Sequence, residues 1–129
     1  MKTPNLQELS NEQLAERFKL LSFQEDEDAC SAKYYQIAYD ERSRVTAELR
    51  KRGQEARRAL IPLLDCQDDS RGMSAVAQCH YNAARELLAV EPARARATLE
   101  KLANSVTQSQ MFQARRTLEV LDNGTLKPT

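Results

Sequence analysis

Aromatic and β-branched residues are scarce in this sequence, which argues against a β-sheet fold because strands favour both types. Aromatic residues make up 5% of the 129 positions, and tryptophan is absent. Glycine occurs only at Gly53, Gly72 and Gly124, and this spacing excludes a glycine-rich loop that cradles phosphate. The sequence is rich instead in Leu (16 residues) and Ala (17 residues), which favour helices.

Long apolar runs are also lacking. The longest, residues 59–64, contains six residues, whereas a membrane-spanning helix needs about 20. The N-terminal segment has no apolar stretch typical of a secretory signal. The cysteines are few and widely spaced, at Cys30, Cys66 and Cys79, which is typical of reduced thiols. We therefore expect a cytoplasmic protein without a membrane segment.

The sequence has no net charge, since 19 basic residues balance 19 acidic ones. This balance weakens the simplest argument for a nucleic-acid-binding protein, because such proteins carry a basic patch. The charges are nevertheless uneven. Residues 1–28 hold seven acidic and three basic residues (net −4), and residues 29–61 hold four acidic and eight basic residues (net +4). Opposed patches on a neutral protein suit protein partners at least as well as polyanions.

Apolar residues recur at helical spacing along the chain, which predicts six helices and no strand. Ser10 and Gln13 form a capping-box pattern at the start of the first helix, which should fade in the acidic segment 24–30, interpreted as a solvated loop. The second helix should cover residues 31–52, with Gly53 after its last turn. The predicted inward residues of these two helices are Leu14, Phe18, Leu21, Tyr34, Ile37, Ala38, Val45 and Leu49.

The remaining four helices begin or end at recognisable signals. The third should cover residues 54–64, and Asp69 or Ser70 should cap the fourth. The fifth should begin at Pro92, and the sixth should end before Gly124. Their predicted inward residues are Ala56, Leu60, Leu63, Leu64, Met73, Val76, Cys79, Ala83, Leu87, Val90, Ala95, Leu99, Leu102, Met111, Ala114, Leu118 and Leu121.

Two helix pairs resemble each other in sequence. Segment 56–65 aligns with segment 95–104 at an offset of 39, and the following helices align at an offset of 31, which places Ala83 on Ala114. A helix-pair period near 40 residues is typical of HEAT and armadillo solenoids. Pro62 fits this interpretation, because a kink near the end of the first helix of a pair is tolerated.

These patterns predict an all-α fold of about six helices in three antiparallel pairs, forming a short HEAT-like right-handed α-α superhelix. A single α-solenoid domain should cover residues 1–129. An irregular capping pair takes residues 10–53, two HEAT-like pairs take residues 54–90 and 91–124, and a tail takes residues 125–129.

Three segments of the chain resemble a small bacterial family with a domain of unknown function, the one numbered two-thousand-and-nineteen. They are AKYYQIAYDERSRVTAELRKRG, ARRALIPLLD and AARELLAVEPARARATLEKLA, and the resemblance extends over about residues 5–128. The segment GMSAVAQCHYN departs from the family pattern, which has a shorter turn after the proline-containing helix. The resemblance implies an α-solenoid fold and supplies no catalytic residues.

The sequence offers no constellation for catalysis. Its single histidine, His80, adjoins Cys79, but structural zinc needs four Cys or His ligands, commonly in close pairs. Adjacent helical residues point about 100° apart, so Cys79 and His80 are not a nucleophile with its base. We interpret Cys79 as a buried core thiol and predict no enzyme activity, no metal and no cofactor.

Seven basic residues raise the alternative of a nucleic-acid-binding HEAT-like domain that uses the stretch 42–58. They are Arg42, Arg44, Arg50, Lys51, Arg52, Arg57 and Arg58. Interleaved acidic residues favour intra-helix ion pairs instead, such as Asp40 with Arg44. Nucleic acid is therefore the less favoured partner, and a hydrolase or glycosylase remnant is a weaker alternative still.

The second helices of the two repeat-like pairs offer the most suggestive surface, because such helices line the concave face of HEAT solenoids. Exposed tyrosine and arginine are typical of interaction hot spots. The predicted partner-binding residues, expected to point away from the core, are Gln78, Tyr81, Asn82, Arg85, Phe112, Gln113 and Arg116. The leading hypothesis is a non-catalytic cytoplasmic protein–protein interaction module, an adaptor or an immunity-type inhibitor, with an unidentified protein partner.

Overall fold

The structure, a computed structural model, describes residues 5–129. Residues 1–4, which belong to the predicted domain, lie outside the described residues. The described chain is helical and contains no strand, so the predicted all-α fold of six helices is confirmed. The helices are α1 Asn11–Glu27, α2 Ala32–Arg52, α3 Gln54–Arg57, α4 Met73–Leu87, α5 Pro92–Ala103 and α6 Gln108–Asp122.

Local chemistry sets several helix ends where the sequence predicts them. Ser10 Oγ accepts a hydrogen bond from the Gln13 backbone N–H at 3.0 Å, and the Gln13 side chain accepts one from the Ser10 N–H at 2.8 Å. The capping box is therefore confirmed. Ser31 caps α2, and Gly53 ends it with a φ of 111°, a backbone conformation that favours glycine. Pro92 lies in the first turn of α5.

Pro62 lies in a 3-10 helix, Arg58–Leu64, that continues α3. A regular α-helix would press the proline ring against the Arg58 carbonyl and lose a hydrogen bond there, and the chain changes to the 3-10 form at Arg58. Leu60 and Leu63 of this segment are buried in the core. The prediction that Pro62 shares a helical segment with inward Leu60 and Leu63 is therefore confirmed, although the predicted third helix is divided in two.

The helices pack in neighbouring pairs around α4. α1 packs on α2, α5 packs on α6, and the 3-10 helix Arg58–Leu64 packs on α4, which also contacts α1, α5 and α6. Small side chains of α4, Ala75, Ala77, Ala83 and Ala84, are buried at these contacts. Among residues 5–129, every helix is too short or too polar to span a bilayer.

Most of the predicted inward residues are buried, but three predictions are wrong. Tyr34, Ile37 and Met73 have 57%, 47% and 69% of their surface exposed. Each lies in the first two turns of its helix, where neighbouring parts of residues 5–129 cover the side chain only in part. Apolar spacing therefore predicted which face of a helix points inward. It did not predict how far along the helix a neighbouring helix covers that face.

α4 begins later than the sequence indicates. Gly72 precedes the helix, so the prediction that Asp69 or Ser70 caps it is wrong. Asp68 instead accepts a hydrogen bond from the Ser70 backbone N–H at 2.9 Å. This Asx-type contact stabilises a turn before the helix, which leaves Asp69 exposed.

The end of α1 differs from the predicted solvated loop. α1 continues to Glu27, and Glu25 in its last turn has only 3% of its surface exposed. Arg42 of α2 donates to both Glu25 oxygens, from Nε at 2.8 Å and from Nη2 at 3.0 Å. A guanidinium from a neighbouring helix thus compensates both the buried charge and its unfavourable place at a helix C-terminus.

Candidate functional site

Two predicted binding residues of α4, Gln78 and Asn82, belong to a band of polar side chains between α1, α4 and α6. We call it the polar seam and define it by Ser22, Glu25, Asp26, Ser74, Gln78, Asn82 and Gln110. Asn82 Nδ2 donates to Glu25 Oε2 at 2.6 Å and to Ser22 Oγ at 3.1 Å. Gln78 Nε2 donates to Asn82 Oδ1 at 3.0 Å, which extends the network along α4.

The other half of the polar seam joins α6 to both helices. Gln110, which is fully buried, donates from Nε2 to Gln78 Oε1 at 3.0 Å and to Asp26 Oδ1 at 3.2 Å. Ser74 Oγ donates to the same Asp26 oxygen at 2.7 Å. The expectation that Asn82 points away from the core is wrong, since only 5% of its surface is exposed. The physical reason is α1, which covers this side of α4 with a carboxylate.

Gln113, Tyr81 and Arg85 also contact neighbouring polar groups. Gln113 lies 3.4 Å from the Gln78 side-chain amide. The Tyr81 hydroxyl and Thr117 Oγ1 are hydrogen-bonded at 2.7 Å, and Arg85 Nη1 donates weakly to Thr117 Oγ1 at 3.4 Å. These contacts hold α4 against α6. The structure therefore brings Gln78, Asn82 and Gln113 together, but as parts of the packing.

The rest of the predicted binding set faces solvent. Phe112 has 61% of its surface exposed, and Arg85 is also exposed. Arg116 is exposed and pairs with Glu119 of its own helix at 3.1 Å. Within residues 5–129, no buried polar side-chain atom of the polar seam lacks a hydrogen-bond partner. The buried atoms of the seam therefore satisfy one another rather than a ligand.

The basic stretch 42–58 is largely neutralised inside the protein. Five of its seven basic residues form ion pairs: Arg42 with Glu25, Arg50 and Arg57 with Glu86, Arg52 with Glu48, and Arg58 with Glu55 and Glu91. Among residues 5–129, Arg44 and Lys51 make no ion pair. The expected pair of Asp40 with Arg44 is not among the contacts; Asp40 accepts from Gln36 Nε2 at 2.8 Å instead. This pairing leaves little free positive charge for a polyanion.

Sequence reasoning missed an exposed aromatic patch on the first two turns of α2. Tyr34, Tyr35, Ile37 and Tyr39 are all exposed there. Tyr34 and Ile37 share a groove lining with exposed Leu20 of α1, whereas Tyr35 and Tyr39 stack on each other outside that lining, with ring centroids 6.3 Å apart. The signal was visible in the segment YYQIAY, whose apolar residues outnumber what one buried helix face accommodates. Large apolar side chains grouped on a surface are typical of interaction sites.

Part of this patch lines a groove of about 980 Å³ between α1 and α2. We call it the α1–α2 groove. Its apolar lining consists of Leu9, Leu20, Leu21, Tyr34, Ile37 and Ala38. Its charged lining consists of four carboxylates and two guanidinium groups: Glu16, Glu27, Asp28, Glu41, Arg17 and Arg71.

The arginines of the α1–α2 groove are already paired. Arg17 Nη2 lies 2.9 Å from Glu41 Oε2, and Arg71 Nη1 lies 2.7 Å from Glu27 Oε1. A third rim carboxylate, Glu16, pairs with Lys19 at 2.9 Å. The groove therefore combines an apolar floor with a rim on which Asp28 is the carboxylate without an ion pair among residues 5–129.

Cys66, Cys79 and His80 meet where the loop before α4 contacts that helix. The two sulfur atoms are 3.8 Å apart, and His80 Nε2–H donates to the Cys66 carbonyl oxygen at 2.8 Å. Cys79 is buried, as predicted, and Cys66 is half-buried. Sequence reasoning missed this cluster because it tested His80 against its neighbour Cys79, whereas the contact is with Cys66 across a loop. No group of metal-ligating side chains occurs among the described residues.

The surroundings of this cluster shift the pKa values of the two thiols in opposite directions. The pKa of Cys66 is lowered, because Cys79 donates a hydrogen bond to the Cys66 thiolate and because His80 and Lys19 favour the negative charge, while burial opposes it. The same hydrogen bond, together with burial, raises the pKa of Cys79. Burial alone would lower the pKa of His80, but its hydrogen bonds to Cys66 outweigh burial and raise it.

The comparisons with known proteins identify the family. The family model described as a domain of unknown function, DUF2019, matches residues 12–122, from the first turn of α1 to the end of α6. No curated protein and no solved structure shows significant similarity to the chain. Because the match covers well over half of the sequence, the protein belongs to the DUF2019 family, as the resemblance of its helical segments indicated.

Proposed function

We propose that this protein is a non-catalytic protein–protein interaction module and that the α1–α2 groove is its docking site. The observation that carries the proposal is the group of exposed apolar side chains that line this groove, Leu20 of α1 with Tyr34 and Ile37 of α2. Full burial of one large apolar side chain contributes about 1.5–3 kcal/mol. A partner that covers this patch therefore has a substantial source of affinity, and tyrosine is typical of interface hot spots.

The partner segment that fits the groove is an amphipathic helix with basic flanks. The groove runs between two helices, so a third helix can lay apolar residues spaced i, i+4 and i+7 along its floor. Leu20, Tyr34 and Ile37 supply the facing apolar surface. Three of the four rim carboxylates already pair with Arg17, Arg71 or Lys19, and Asp28 makes no ion pair among residues 5–129. A lysine or arginine at the end of the partner helix beside Asp28 therefore complements the charge of the rim.

The packing order supports a short HEAT-like solenoid, with the α1–α2 pair at its end. This pair packs on the pair formed by Arg58–Leu64 and α4, which packs on α5 and α6. Sequential stacking of helix pairs is typical of solenoids, whose terminal repeats normally present a polar outer face. Exposed tyrosines on α2 are not the polar outer face that a purely capping repeat needs. This favours a binding role for this end of the solenoid.

A module of this size suits an adaptor or an immunity-type inhibitor in a bacterial cytoplasm. The three cysteines are free thiols, which agrees with a reducing compartment. Five arginines of the stretch 42–58 are already paired, which favours a protein partner over nucleic acid.

A displayed library of amphipathic helical peptides tests the docking site. Half of the library carries lysine or arginine at both ends of the apolar face, and half carries glutamate or aspartate. We expect the selected peptides to be enriched in basic ends. The double variant Tyr34→Ala/Ile37→Ala should weaken their binding about 30-fold, which corresponds to about 2 kcal/mol.

The matched control is Phe112→Ala/Arg116→Ala, which removes an exposed aromatic residue and its neighbouring arginine from α6. Its binding should equal that of the wild-type protein. Selection without charge bias, equal weakening by both double variants, or failure to select any binder would contradict the proposal.

A further inference from the structure

We propose that Cys66 is a peroxide-reactive cysteine and that Cys79 is the resolving thiol with which it forms a disulfide. The geometry is the starting point, because the two sulfur atoms are 3.8 Å apart, with Cys66 in the loop before α4 and Cys79 within α4. A disulfide needs about 2.05 Å between the sulfur atoms. Residues 65–72, which include Cys66, form no helix that would have to melt as the gap closes.

Access differs between the two thiols in the way that this chemistry requires. Cys66 is half-buried, and its neighbours Leu64 and Gln67 line an open pocket of about 430 Å³, together with His80. Cys66 does not itself line this pocket, but it is only half-buried, so a molecule as small as hydrogen peroxide can reach it from solvent. Cys79 is fully buried, so its route to oxidation is through Cys66.

Positive charge from two helices favours the Cys66 thiolate, which is the reactive form of a cysteine. Lys19 of α1 and His80 of α4 both stabilise the negative sulfur. Lys101 of α5 faces His80 and opposes its protonation. The hydrogen bond from Cys79 is the largest contribution to the stability of the Cys66 thiolate, ahead of both charges, and burial opposes it. Together these groups keep Cys66 ionised at a pH at which an ordinary thiol is protonated.

The first step transfers one oxygen atom from peroxide to sulfur. The Cys66 thiolate attacks one oxygen of hydrogen peroxide, an S–O bond forms as the O–O bond breaks, and the leaving hydroxide takes up a proton to become water. Cys66 is oxidised to a sulfenic acid, and the peroxide is reduced. The negative charge that disfavours ionisation of Cys79 disappears in this step.

The second step forms the disulfide. Cys79 loses its proton and attacks the Cys66 sulfur, so that an S–S bond forms and the S–O bond breaks. The hydroxide that leaves combines with the proton from Cys79 and gives a second water molecule. One peroxide is therefore consumed for each disulfide formed.

Mass spectrometry of oxidised variants tests this assignment directly. All proteins carry Cys30→Ser, because Cys30 is exposed and would react with the oxidant independently. Hydrogen peroxide at pH 7 should remove both remaining thiols and produce a Cys66–Cys79 cross-linked peptide. With Cys79→Ser added, Cys66 should stop at a sulfenic acid that dimedone traps. With Cys66→Ser added, Cys79 should stay reduced.

A pH profile of the wild-type protein provides a measurement that needs no core substitution. A thiol with an ordinary pKa of about 8.5 loses about 50-fold in alkylation rate between pH 8.5 and pH 6.5, and exposed Cys30 should follow this behaviour. Cys66 should lose less than about threefold, because its pKa is lowered and it stays a thiolate. Parallel profiles for Cys30 and Cys66, or peroxide treatment without a Cys66–Cys79 cross-link, would overturn the proposal.

Discussion

α1 contributes residues to both the polar seam and the α1–α2 groove. Each region departs from the usual distribution of side chains, since the seam buries polar groups and the groove exposes apolar ones. In the polar seam, Glu25, Asn82 and Gln110 are buried. In the groove, Tyr34 and Ile37 are exposed. Buried polar groups are stable only when they are hydrogen-bonded, and those of the seam are. Exposed apolar groups have no such partner within residues 5–129, which makes the groove the better candidate for binding.

The type of a residue alone does not identify a binding surface. Gln78 and Asn82 have the polar character expected of a solvent-facing helix, but α1 and α6 already satisfy them. Tyr34 and Ile37 have the spacing of a core face, but no helix covers them. What separates the two regions is the presence of a neighbouring element with complementary groups.

The largest expected effect comes from removing the central carboxylate of the polar seam. Glu25→Ala should lower the free energy of unfolding by about 3–5 kcal/mol, because Arg42 and Asn82 lose a buried partner. Urea denaturation followed by circular dichroism measures this loss. The control is Glu16→Ala, whose exposed carboxylate pairs with Lys19 and should contribute less than about 1 kcal/mol. Equal losses from the two variants would show that the seam does not stabilise the fold.

A smaller effect should follow from removing one hydroxyl at the α4–α6 contact. Tyr81→Phe leaves the buried Thr117 hydroxyl with a weaker partner and should cost about 1 kcal/mol of unfolding free energy. The matched change Tyr34→Phe removes a solvent-facing hydroxyl in the groove and should cost almost nothing. Thermal unfolding of both variants checks the difference, and a larger loss from Tyr34→Phe would reverse the comparison.

The smallest expected effect on stability comes from the groove itself. Tyr34→Ser/Ile37→Ser should change the free energy of unfolding by less than about 0.5 kcal/mol for each site, because about half of the surface of each residue is already in water. Chemical denaturation checks this value. A loss of several kcal/mol would mean that these residues support the fold, and the groove would then not be a surface reserved for a partner.

Much of the fold was predictable because it depends on residues within one helical turn. The capping box of Ser10 with Gln13, the glycine after α2 and the proline at the start of α5 each act over a few residues. The helical repeat that aligns Ala83 with Ala114 also identified two fully buried positions correctly. Outward placement of Phe112 and Arg116 followed from the same alignment.

The candidate sites were less predictable because each depends on segments far apart in the chain. Asn82 meets Glu25 across 57 positions, and His80 meets Cys66 across 14. Periodicity along a single helix carries no information on which helix lies against which face. For this reason the acidic end of α1 reads as a solvated loop, although its Glu25 is one of the most buried polar residues.

The sequence by itself determined the number of helices, most of their ends and the side of each helix that is apolar, because these follow from backbone propensity, capping and periodicity within a few turns. Only the tertiary structure decided which polar residues are buried and which apolar residues stay in water. That outcome depends on where neighbouring helices stop. Arg42 and Asn82 reach Glu25 and allow it to be buried as a charge, whereas nothing in residues 5–129 reaches across the first turns of α2 to cover Tyr34.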